Sequence, residues 1–274
     1  MTTAVLIHGF SGSSESWRSV RARLHMPSCA PVVYGHRGAG PTVPVAPAGT
    51  SFDAEVDRLA SVVAETAPAP RYLSGYSLGG RLALGLLVRH ADLFAGAALI
   101  GANPGIGDDR ERAERRKADG TWARLIEERG LSAFDREWSR LALFASQTRL
   151  ASEALEEQRR IRLGHSRVAL ASAMRTLSLG AMPDFRPFLS AICCPIELIA
   201  GSLDTKFSAL ARQMAGLLPA ATVHIVDGVG HNVPLEAPAR LARLLNRSLE
   251  RTVAQQPGDG RLIHRMDEDF DDYS

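Results

Sequence analysis

The chain has 274 residues, 45% of them hydrophobic and 23% charged, and its formal net charge at pH 7 is +2. These values are ordinary for a globular protein with a sizeable core, and so small a charge gives no reason to expect nucleic acid or an anionic membrane as a partner. Three cysteines, two of them adjacent, argue against a disulfide framework. With neither a signal-peptide pattern nor a run of ~20 apolar residues, we predict a cytoplasmic protein.

Short apolar runs alternate with amphipathic stretches, which is the pattern of a parallel sheet covered by helices. Ser51 is the predicted N-cap of a helix with Val56 and Leu59 on its buried face. Residues 78–88, apolar nearly all round, indicate a second, buried helix, and a last helix is predicted near residues 238–250. The predicted fold class is α/β, with a mostly parallel central sheet flanked by helices and strands at residues 3–7, 31–34, 71–74, 97–100, 196–200 and 222–226.

Residues 103–180 interrupt this alternation. They contain no convincing strand and are rich in arginine, glutamate and alanine, so we predict a helical cap inserted over the carboxyl edge of the sheet. The core domain then comprises residues 1–102 and 181–251. Residues 252–274 carry two arginines against six acidic residues and are predicted to form a disordered acidic tail.

Residues 75–79 match the nucleophile-elbow pattern G-x-S-x-G and place Ser77 between a predicted strand and a predicted helix. Such a turn is sharp and exposes the serine hydroxyl beyond the end of the sheet, and glycines on both sides let the backbones approach closely. The pattern alone is weak because glycine and serine are common, but its strand–helix context strengthens it. Ser77 is therefore the predicted catalytic centre.

A serine hydroxyl becomes a useful base or nucleophile only when a histidine accepts its proton and a carboxylate orients that histidine. In this fold the chain order is serine, acid, histidine, and Asp204 and His231 follow the fifth and sixth predicted strands. The carboxyl ends of parallel strands are where such folds assemble their sites. For Asp204, a role as a helix N-cap stays open beside the catalytic one. Five other histidines lie in no comparable loop and are assigned to the surface or to packing: His25, His90, His165, His224 and His264.

An oxyanion hole requires two backbone N–H groups aimed at one developing negative charge. We expect one from Leu78, at the start of the helix after Ser77, and the other from Phe10, in the glycine-containing loop after the first strand. His8 is expected to brace that loop and not to react. No residues have zinc-type ligand spacing, so no metal and no other cofactor is predicted.

Several motifs resemble those of the 2-succinyl-6-hydroxy-2,4-cyclohexadiene-1-carboxylate synthases of menaquinone biosynthesis, a branch of the α/β-hydrolases. They are residues 8–12 (HGFSG), 75–81 (GYSLGGR) and 204–207 (DTKF), with cap motifs that include Trp122, Trp138 and residues 143–147 (LFASQ). The similarity extends from about Val5 to Leu245, and its most selective parts are the arginine after the elbow glycines and the cap motifs. It implies an α/β-hydrolase fold with an inserted helical cap.

Members of this family are lyases. The resemblance implies that Ser77, deprotonated towards His231, removes a proton from a cyclohexene ring carbon beside a ketone, while Asp204 stabilises the imidazolium. The enolpyruvyl group then leaves as pyruvate. No acyl-enzyme forms, which separates this chemistry from that of an esterase.

The substrate that the resemblance implies is a small tricarboxylate, so the pocket needs cations. Arg81 lies one turn after Ser77 on an apolar helix, where a charge is costly unless it is paired. Arg115 and Arg162 match family arginines in the cap, and guanidinium groups suit bidentate binding of carboxylates; a solvent-facing role stays open for both because other arginines stand close by. Tyr76 and Trp138 match pocket positions of the family, with ordinary packing as the alternative.

The chain departs from the family pattern at residues 34–38 (YGHRG), which replace an aspartate–proline–glycine–histidine–glycine run and leave the role of Arg37 open. The leading strands that are usual in the fold also look absent or shortened. Two other functions remain: a serine hydrolase of small esters or carbon–carbon diketones, and a non-catalytic binding protein on the same fold. The sequence does not indicate an oligomeric state.

Overall fold

The computed structural model describes residues 1–37, 46–47 and 49–254. Among these residues, six strands form one sheet: β1 (Thr3–Ile7), β2 (Ser28–Cys29), β3 (Arg71–Tyr76), β4 (Gly96–Ile100), β5 (Ile196–Gly201) and β6 (Ala221–Val226). Their order across the sheet is β2-β1-β3-β4-β5-β6, and every neighbouring pair is parallel. Parallel neighbours require crossover connections, and most of these connections are helical.

The α-helices of the described chain are α1 (Arg18–Arg21), α2 (Phe52–Thr66), α3 (Leu78–Arg89), α4 (Asp109–Trp138), α5 (Ser152–Leu163), α6 (Arg167–Thr176), α7 (Thr205–Ala215), α8 (Val233–Glu236) and α9 (Pro238–Ala254). Shorter 3-10 helices cover Ser14–Trp17, Ala91–Leu93, Ala142–Arg149 and Arg186–Ala191. None of the described helices is long and apolar enough to cross a membrane.

Both faces of the sheet are buried. Val5 and Ile7 of β1 belong to one apolar cluster, with residues of α2, α3 and α7, whereas Ala4 and Leu6 belong to a second cluster with residues of α8 and α9. Successive side chains of a strand point to opposite faces. Burial on both faces explains why β1 is apolar from Ala4 to Ile7 and does not alternate.

The parallel arrangement gathers the functional loops at one edge. Residue 8 follows β1, residue 77 follows β3 and residue 101 follows β4, while the loops at 202–204 and 227–232 follow β5 and β6. Since all these strands run in the same direction, their carboxyl ends meet at one edge of the sheet. The predicted α/β-hydrolase fold, with a parallel sheet flanked by helices, is confirmed.

Five of the six predicted strands are present, with ends that differ by at most two residues. The strand predicted at residues 31–34 is wrong. The edge strand is Ser28–Cys29, which pairs with Ala4 and Val5. Pro31 has no N–H to donate to a ladder, and the next apolar residue, Val33, is buried in the core as part of a turn that its carbonyl closes with the N–H of His36.

The segment at residues 103–180 contains α4, α5, α6 and the 3-10 helix at Ala142–Arg149, and no strand occurs in it, all of these residues being described. Helix α4 is broken at Gly130, whose φ of 78° is outside the helical region. Helices α4 and α6 share a small apolar core of their own, formed by Ala123, Ile126, Phe134, Leu170, Ala171 and Met174. These helices carry the predicted cap residues.

Helix α9 ends at Ala254, three residues inside the segment predicted as a tail. Residues 255–274, the remainder of that segment, lie outside the described residues, and so do His264 and Gly38. Three other histidines assigned to the surface or to packing lie beside carboxylates: His25 by Glu250, His90 by Asp57 and His224 by Glu197.

Candidate active site

Ser77 occupies a strained turn between β3 and α3. Its φ is 53° and its ψ is −109°, so it lies in a region that residues other than glycine rarely adopt. A Cβ on Gly75 would stand 2.2 Å from the carbonyl oxygen of Gly79, and one on Gly79 would stand 2.1 Å from that of Ile7. Both glycines of the elbow pattern are therefore required by close backbone contacts, and the turn they permit carries Ser77 past the end of β3.

The structure brings together the three residues that chain order predicted. The Nε2 atom of His231 lies 3.0 Å from Ser77 Oγ, and its Nδ1 atom lies 2.7 Å from Asp204 Oδ2. His231 and Asp204 are buried, with 2% and 8% exposure. A carboxylate only accepts hydrogen bonds, so Nδ1 carries the proton and Nε2 presents its lone pair to the serine hydroxyl. This is the geometry in which histidine accepts a proton from serine.

Asp204 makes the contacts that both of its open interpretations require. Its Oδ2 atom contacts His231, while its Oδ1 atom accepts a hydrogen bond of 3.3 Å from the N–H of Phe207 and caps α7. The cap orients the carboxylate at the carboxyl end of β5. One side chain thus ends the loop, starts the helix and holds the imidazole.

Glu236 holds the loop that carries His231. Its two carboxylate oxygens accept hydrogen bonds from the N–H groups of Gly230 and Asn232, at 2.7 and 3.1 Å. Both neighbours of His231 are therefore fixed to the same carboxylate on α8. Sequence reasoning missed this residue because its only signal is a carboxylate five positions after a histidine.

The two predicted oxyanion donors belong to elements that frame Ser77. Leu78 is the first residue of α3, where N–H groups have no acceptor within the helix. Phe10 lies in the loop after β1, where the N–H of Gly12 donates to the carbonyl of Gly9 and closes a turn. Both residues line the same cavity as Ser77 and His231. Their use as oxyanion donors is taken up below as part of the proposed function.

This catalytic cavity has a volume of about 200 Å³ and lies between the edge of the sheet and the helices of residues 103–180. Besides the residues just named, it is lined by predicted residues Tyr76, Arg81, Arg115 and Trp138 and by four polar residues that were not predicted: Asn103, Asp119, Ser178 and Lys206. The charged side chains around it are three cations and one carboxylate, which favours an anionic ligand.

Arg81 is a partly buried cation at this cavity. Its Nη1 atom donates a 2.9 Å hydrogen bond to the carbonyl of Leu177, and no ion pair links it to a carboxylate in the described part of the chain. Burial lowers the pKa of Arg81 to about 9, with Arg115 acting in the same direction and Asp119 opposing. A buried charge without a counterion is costly unless a ligand supplies one.

Arg115 reaches the same cavity from α4 and is held by Asp119 one turn later, with nitrogen–oxygen distances of 2.9 to 3.0 Å. Asp119 is 3% exposed and also accepts a 2.7 Å hydrogen bond from the hydroxyl of Ser178. Asp119 thus sets the position of one cavity arginine and partly offsets the charge of the other.

Arg162 does not join the other two arginines. It is 4% exposed and pairs with Asp135 at 2.5 Å, with further hydrogen bonds to Ser139 Oγ and Ser11 Oγ at 2.8 and 3.3 Å. It lines a second, adjoining cavity of about 310 Å³. Four aromatic residues line both cavities and form the wall between them: Phe10, Tyr76, Trp138 and Phe144.

Trp138 and Tyr76 fulfil both the packing and the pocket interpretations. The ring of Trp138 lies 5.1 to 5.6 Å from those of Phe10, Trp122 and Phe134, so it anchors an aromatic cluster. The ring of Tyr76 lies 5.4 Å from that of His231. Burial raises the pKa of Tyr76 well above its ordinary value, so its hydroxyl stays protonated at neutral pH.

Comparison with known proteins agrees with this arrangement. A family model described as the alpha/beta hydrolase family matches residues 4–244. The 2-succinyl-6-hydroxy-2,4-cyclohexadiene-1-carboxylate synthase of Salmonella agona (strain SL483) is 32% identical over 235 residues, which cover 86% of this chain and 88% of that protein. The solved structure of MenH from S. aureus superposes with a TM-score of 0.85 at 26% identity, over 92% of this chain and 94% of that one.

The chain belongs to the 2-succinyl-6-hydroxy-2,4-cyclohexadiene-1-carboxylate synthase family of the α/β-hydrolases. It is therefore an enzyme. A thermophilic esterase from Thermogutta terrifontis shares the fold, with a TM-score of 0.77 at 22% identity. Since both synthases and esterases have this fold, the residues of the cavity, and not the fold, determine the reaction.

Lys206 is the clearest omission of the sequence reasoning. It lies two residues after Asp204, in the first turn of α7, and lines the catalytic cavity. Its ammonium group stands 5.9 Å from the centre of the Phe207 ring. The signal was present, because Lys206 is part of the family motif at residues 204–207.

Proposed function

We propose that this enzyme eliminates pyruvate from 2-succinyl-5-enolpyruvyl-6-hydroxy-3-cyclohexene-1-carboxylate and forms 2-succinyl-6-hydroxy-2,4-cyclohexadiene-1-carboxylate, a step of menaquinone biosynthesis. The observation that carries the proposal is that Arg81, a partly buried cation without a carboxylate partner among the described residues, lines the same cavity as Ser77 and His231. The names of the relatives at 32% identity support it.

In the proposed reaction, Ser77 Oγ takes the proton from the ring carbon beside the succinyl ketone as its own proton moves to His231 Nε2. The electron pair of the C–H bond at C2 forms the C2=C3 double bond through an enolate, the C3=C4 double bond shifts to C4=C5, and the C5–O bond to the enolpyruvyl group breaks. The departing enolate takes the proton held by the His231 imidazolium and becomes pyruvate, which restores the neutral imidazole. Asp204 stabilises the imidazolium that forms in between.

Charge develops on the ketone oxygen during proton removal. The N–H groups of Phe10 and Leu78, at the two sides of Ser77, are the proposed donors to that oxygen. Because the positive end of α3 is located at Leu78, the helix dipole favours the same charge. No covalent enzyme intermediate is part of the proposal.

The three carboxylates of the substrate can be matched to the cationic side chains of the two cavities. Arg81, Arg115 and Lys206 serve the catalytic cavity, and Arg162 serves the adjoining one. In our proposal the substrate crosses the aromatic wall between the two cavities, so Tyr76 and Trp138 contact its apolar ring. Arg162 keeps its ion pair with Asp135, and its remaining N–H donors are available to a carboxylate of the substrate.

A serine hydrolase of small esters is the second candidate. The observation that favours it is the spacing of Ser77, His231 and Asp204, which serves acyl transfer equally well. A neutral ester, however, leaves the cations of the cavity without a function. Membership of an enzyme family removes the non-catalytic alternative.

The deciding experiment offers the purified enzyme the enolpyruvyl substrate and measures pyruvate with lactate dehydrogenase alongside the absorbance of the new diene. We expect one pyruvate for each diene and no product with Ser77→Ala. Brisk hydrolysis of p-nitrophenyl esters without any pyruvate release would replace the lyase by the hydrolase.

A further inference from the structure

Three buried histidines form a cluster beneath the loop that carries Phe10. The ring of His36 lies 5.0 Å from that of His8 and 5.4 Å from that of His165. His8 and His36 are 0 to 1% exposed and His165 is 6% exposed. The three come from separate parts of the fold: the end of β1, the loop after β2, and the connection between α5 and α6. The mechanism proposed above uses none of them.

Hydrogen bonds define the tautomer of two of these rings. His36 Nδ1 donates to the carbonyl of Tyr34 at 2.8 Å, so its Nε2 atom accepts the 3.1 Å hydrogen bond from the N–H of Ser11. His165 Nδ1 accepts from the N–H of Arg37 at 2.9 Å, so its Nε2 atom donates to the carbonyl of Ser11 at 3.1 Å. Both rings are neutral, and they are opposite tautomers.

Ser11 is therefore held at every polar group. His36 binds its N–H, His165 binds its carbonyl and Arg162 donates to its hydroxyl. Its φ is 57°, and in the described chain the only other non-glycine residue with a positive φ is Ser77. A left-handed conformation costs an ordinary residue roughly 1–2 kcal/mol and persists only where the surroundings enforce it. Here two imidazoles and a guanidinium bind the polar groups of this residue.

We propose that His36 and His165 are positioning residues of the oxyanion loop, and that they keep the turn at Ser11 in the left-handed conformation that orients the N–H of Phe10. Phe10 is the residue directly before Ser11, so a change at this turn redirects its peptide group. His165 belongs to the helical segment over the site, so it ties that segment to the oxyanion loop. This inference rests on the proposed role of Phe10 as an oxyanion donor.

The hydrogen bonds from the His36 and His165 rings to Ser11, which we call the clamp, require both rings to be neutral. The surroundings of the two rings keep them neutral. Burial lowers the pKa of His165 to about 4, with Arg162 and Arg37 acting in the same direction. Burial also lowers the pKa of His36 well below its usual value, and the neighbouring His8 and His165 lower it further. Arg162, which donates to the hydroxyl of Ser11, is itself paired with Asp135, and Glu55 accepts from the N–H of Tyr34 and is paired with Arg58. Protonation of His36 would replace its acceptor by a second donor facing the N–H of Ser11.

Matched substitutions separate the contact to Ser11 from the rest of each ring. Glutamine places a polar atom near the Nε2 position of histidine, and asparagine places one near the Nδ1 position. His36→Gln and His165→Gln thus keep the hydrogen bond to Ser11, whereas His36→Asn and His165→Asn keep only the bonds to Tyr34 and Arg37. Each pair has the same charge and similar polarity.

Two rates are measured on the folded variants: pyruvate release, and labelling of Ser77 by a fluorophosphonate, whose phosphoryl oxygen also requires the oxyanion hole. We expect both asparagine variants to lose about 10- to 100-fold in kcat and in labelling rate, with KM changed less than about twofold. We expect the glutamine variants to stay within about threefold of the unmodified enzyme in both.

Equal losses in the glutamine and asparagine variants, or losses confined to thermal stability, would overturn the inference. The labelling experiment tests the inference separately from the proposed function. If the enzyme releases no pyruvate but the variants show the expected ratios of labelling rates, the clamp is supported and the lyase assignment is wrong. Failure of Ser77 to react in the unmodified enzyme overturns the clamp too.

Independently of any variant, two-bond ¹H–¹⁵N spectra at pH 6 should show one neutral ring protonated at Nδ1 (His36) and one at Nε2 (His165). The opposite tautomers would contradict the clamp.

Discussion

Asp204 binds His231 through one carboxylate oxygen and the N–H of Phe207 through the other. The hydrogen bond to His231 and the helix cap are therefore properties of a single side chain, and the carboxylate at His231 can be removed while the cap is kept. An amide in place of the carboxylate still accepts a hydrogen bond at the cap, but it can no longer hold the imidazole in the right tautomer with a negative charge.

We expect Asp204→Asn to lower kcat for pyruvate release by about 10³- to 10⁴-fold while the free energy of unfolding stays within about 0.5 kcal/mol. Asp204→Ala removes the cap as well, and it should cost about 1 kcal/mol more in stability. Urea unfolding and steady-state kinetics on both variants test this. If the asparagine variant unfolds as easily as the alanine one, the cap is not a separate function of Asp204.

The proximity of Ser77, Asp204 and His231 could be predicted from the sequence because each follows an apolar strand, and parallel strands bring their carboxyl ends together. The position of Arg81 at the cavity was predictable for a similar local reason, since a lone charge on an apolar helix needs a partner. The positions of these residues depend on patterns a few residues long.

The contacts that hold the site were beyond the reach of such patterns. His165 was assigned to the surface or to packing, yet it binds Ser11, which is 154 positions away in the chain. Arg162 was grouped with the other arginines, whereas its pairing with Asp135 places it at a separate cavity. A two-residue edge strand such as β2 has too short an apolar pattern to be recognised. Long-range pairing depends on the packed fold, and no local period encodes it.

Arg81→Met should separate substrate binding from the fold. The variant loses charge-assisted hydrogen bonds to a carboxylate, so we expect kcat/KM for the tricarboxylate to fall at least about 100-fold. Labelling of Ser77 by a neutral fluorophosphonate should change less than about threefold. Stability should be unchanged or higher, because a partly buried cation without a carboxylate partner among the described residues is removed.

The matched control for that substitution is Arg110→Met on α4, where the arginine side chain is 87% exposed and pairs only with Glu114 among the described contacts. It should leave all three measurements unchanged. Equal losses with the tricarboxylate and the neutral probe in Arg81→Met would show that Arg81 supports the elbow and does not bind a carboxylate.

The Arg162–Asp135 pair should be far more important for stability than an exposed pair. Asp135→Ala leaves Arg162 buried and without its ion-pair partner, which we expect to cost about 3–5 kcal/mol of the free energy of unfolding. Glu127→Ala removes the exposed pair with Arg175 and should cost at most about 1 kcal/mol. Equal losses in urea unfolding would mean that the burial of Arg162 is compensated by other contacts.

The histidine cluster also predicts how stability depends on pH. Burial lowers the pKa of His8 and of His165 to about 4 in the folded enzyme, whereas unfolded histidine has a pKa near ~6.5. Between these values the unfolded chain binds protons that the folded chain excludes, so the stability that is fully present above about pH 6.5 is lost as the pH falls towards 4. The slope is about 1 kcal/mol per pH unit for each such histidine.

His165→Gln removes one histidine that binds a proton in the unfolded chain and not in the folded one. The slope of the free energy of unfolding between pH 6 and pH 5 should therefore decrease by about 1 kcal/mol per pH unit. Carboxylates contribute equally in both proteins over this range and cancel in the comparison. His25→Gln, at a side chain that is 72% exposed, is the matched control for the substitution itself. Urea unfolding at half-unit pH intervals measures these slopes. An unchanged slope in His165→Gln would mean that His165 titrates alike in the folded and unfolded chains, and it would remove the neutral ring that the hydrogen bond to Ser11 requires.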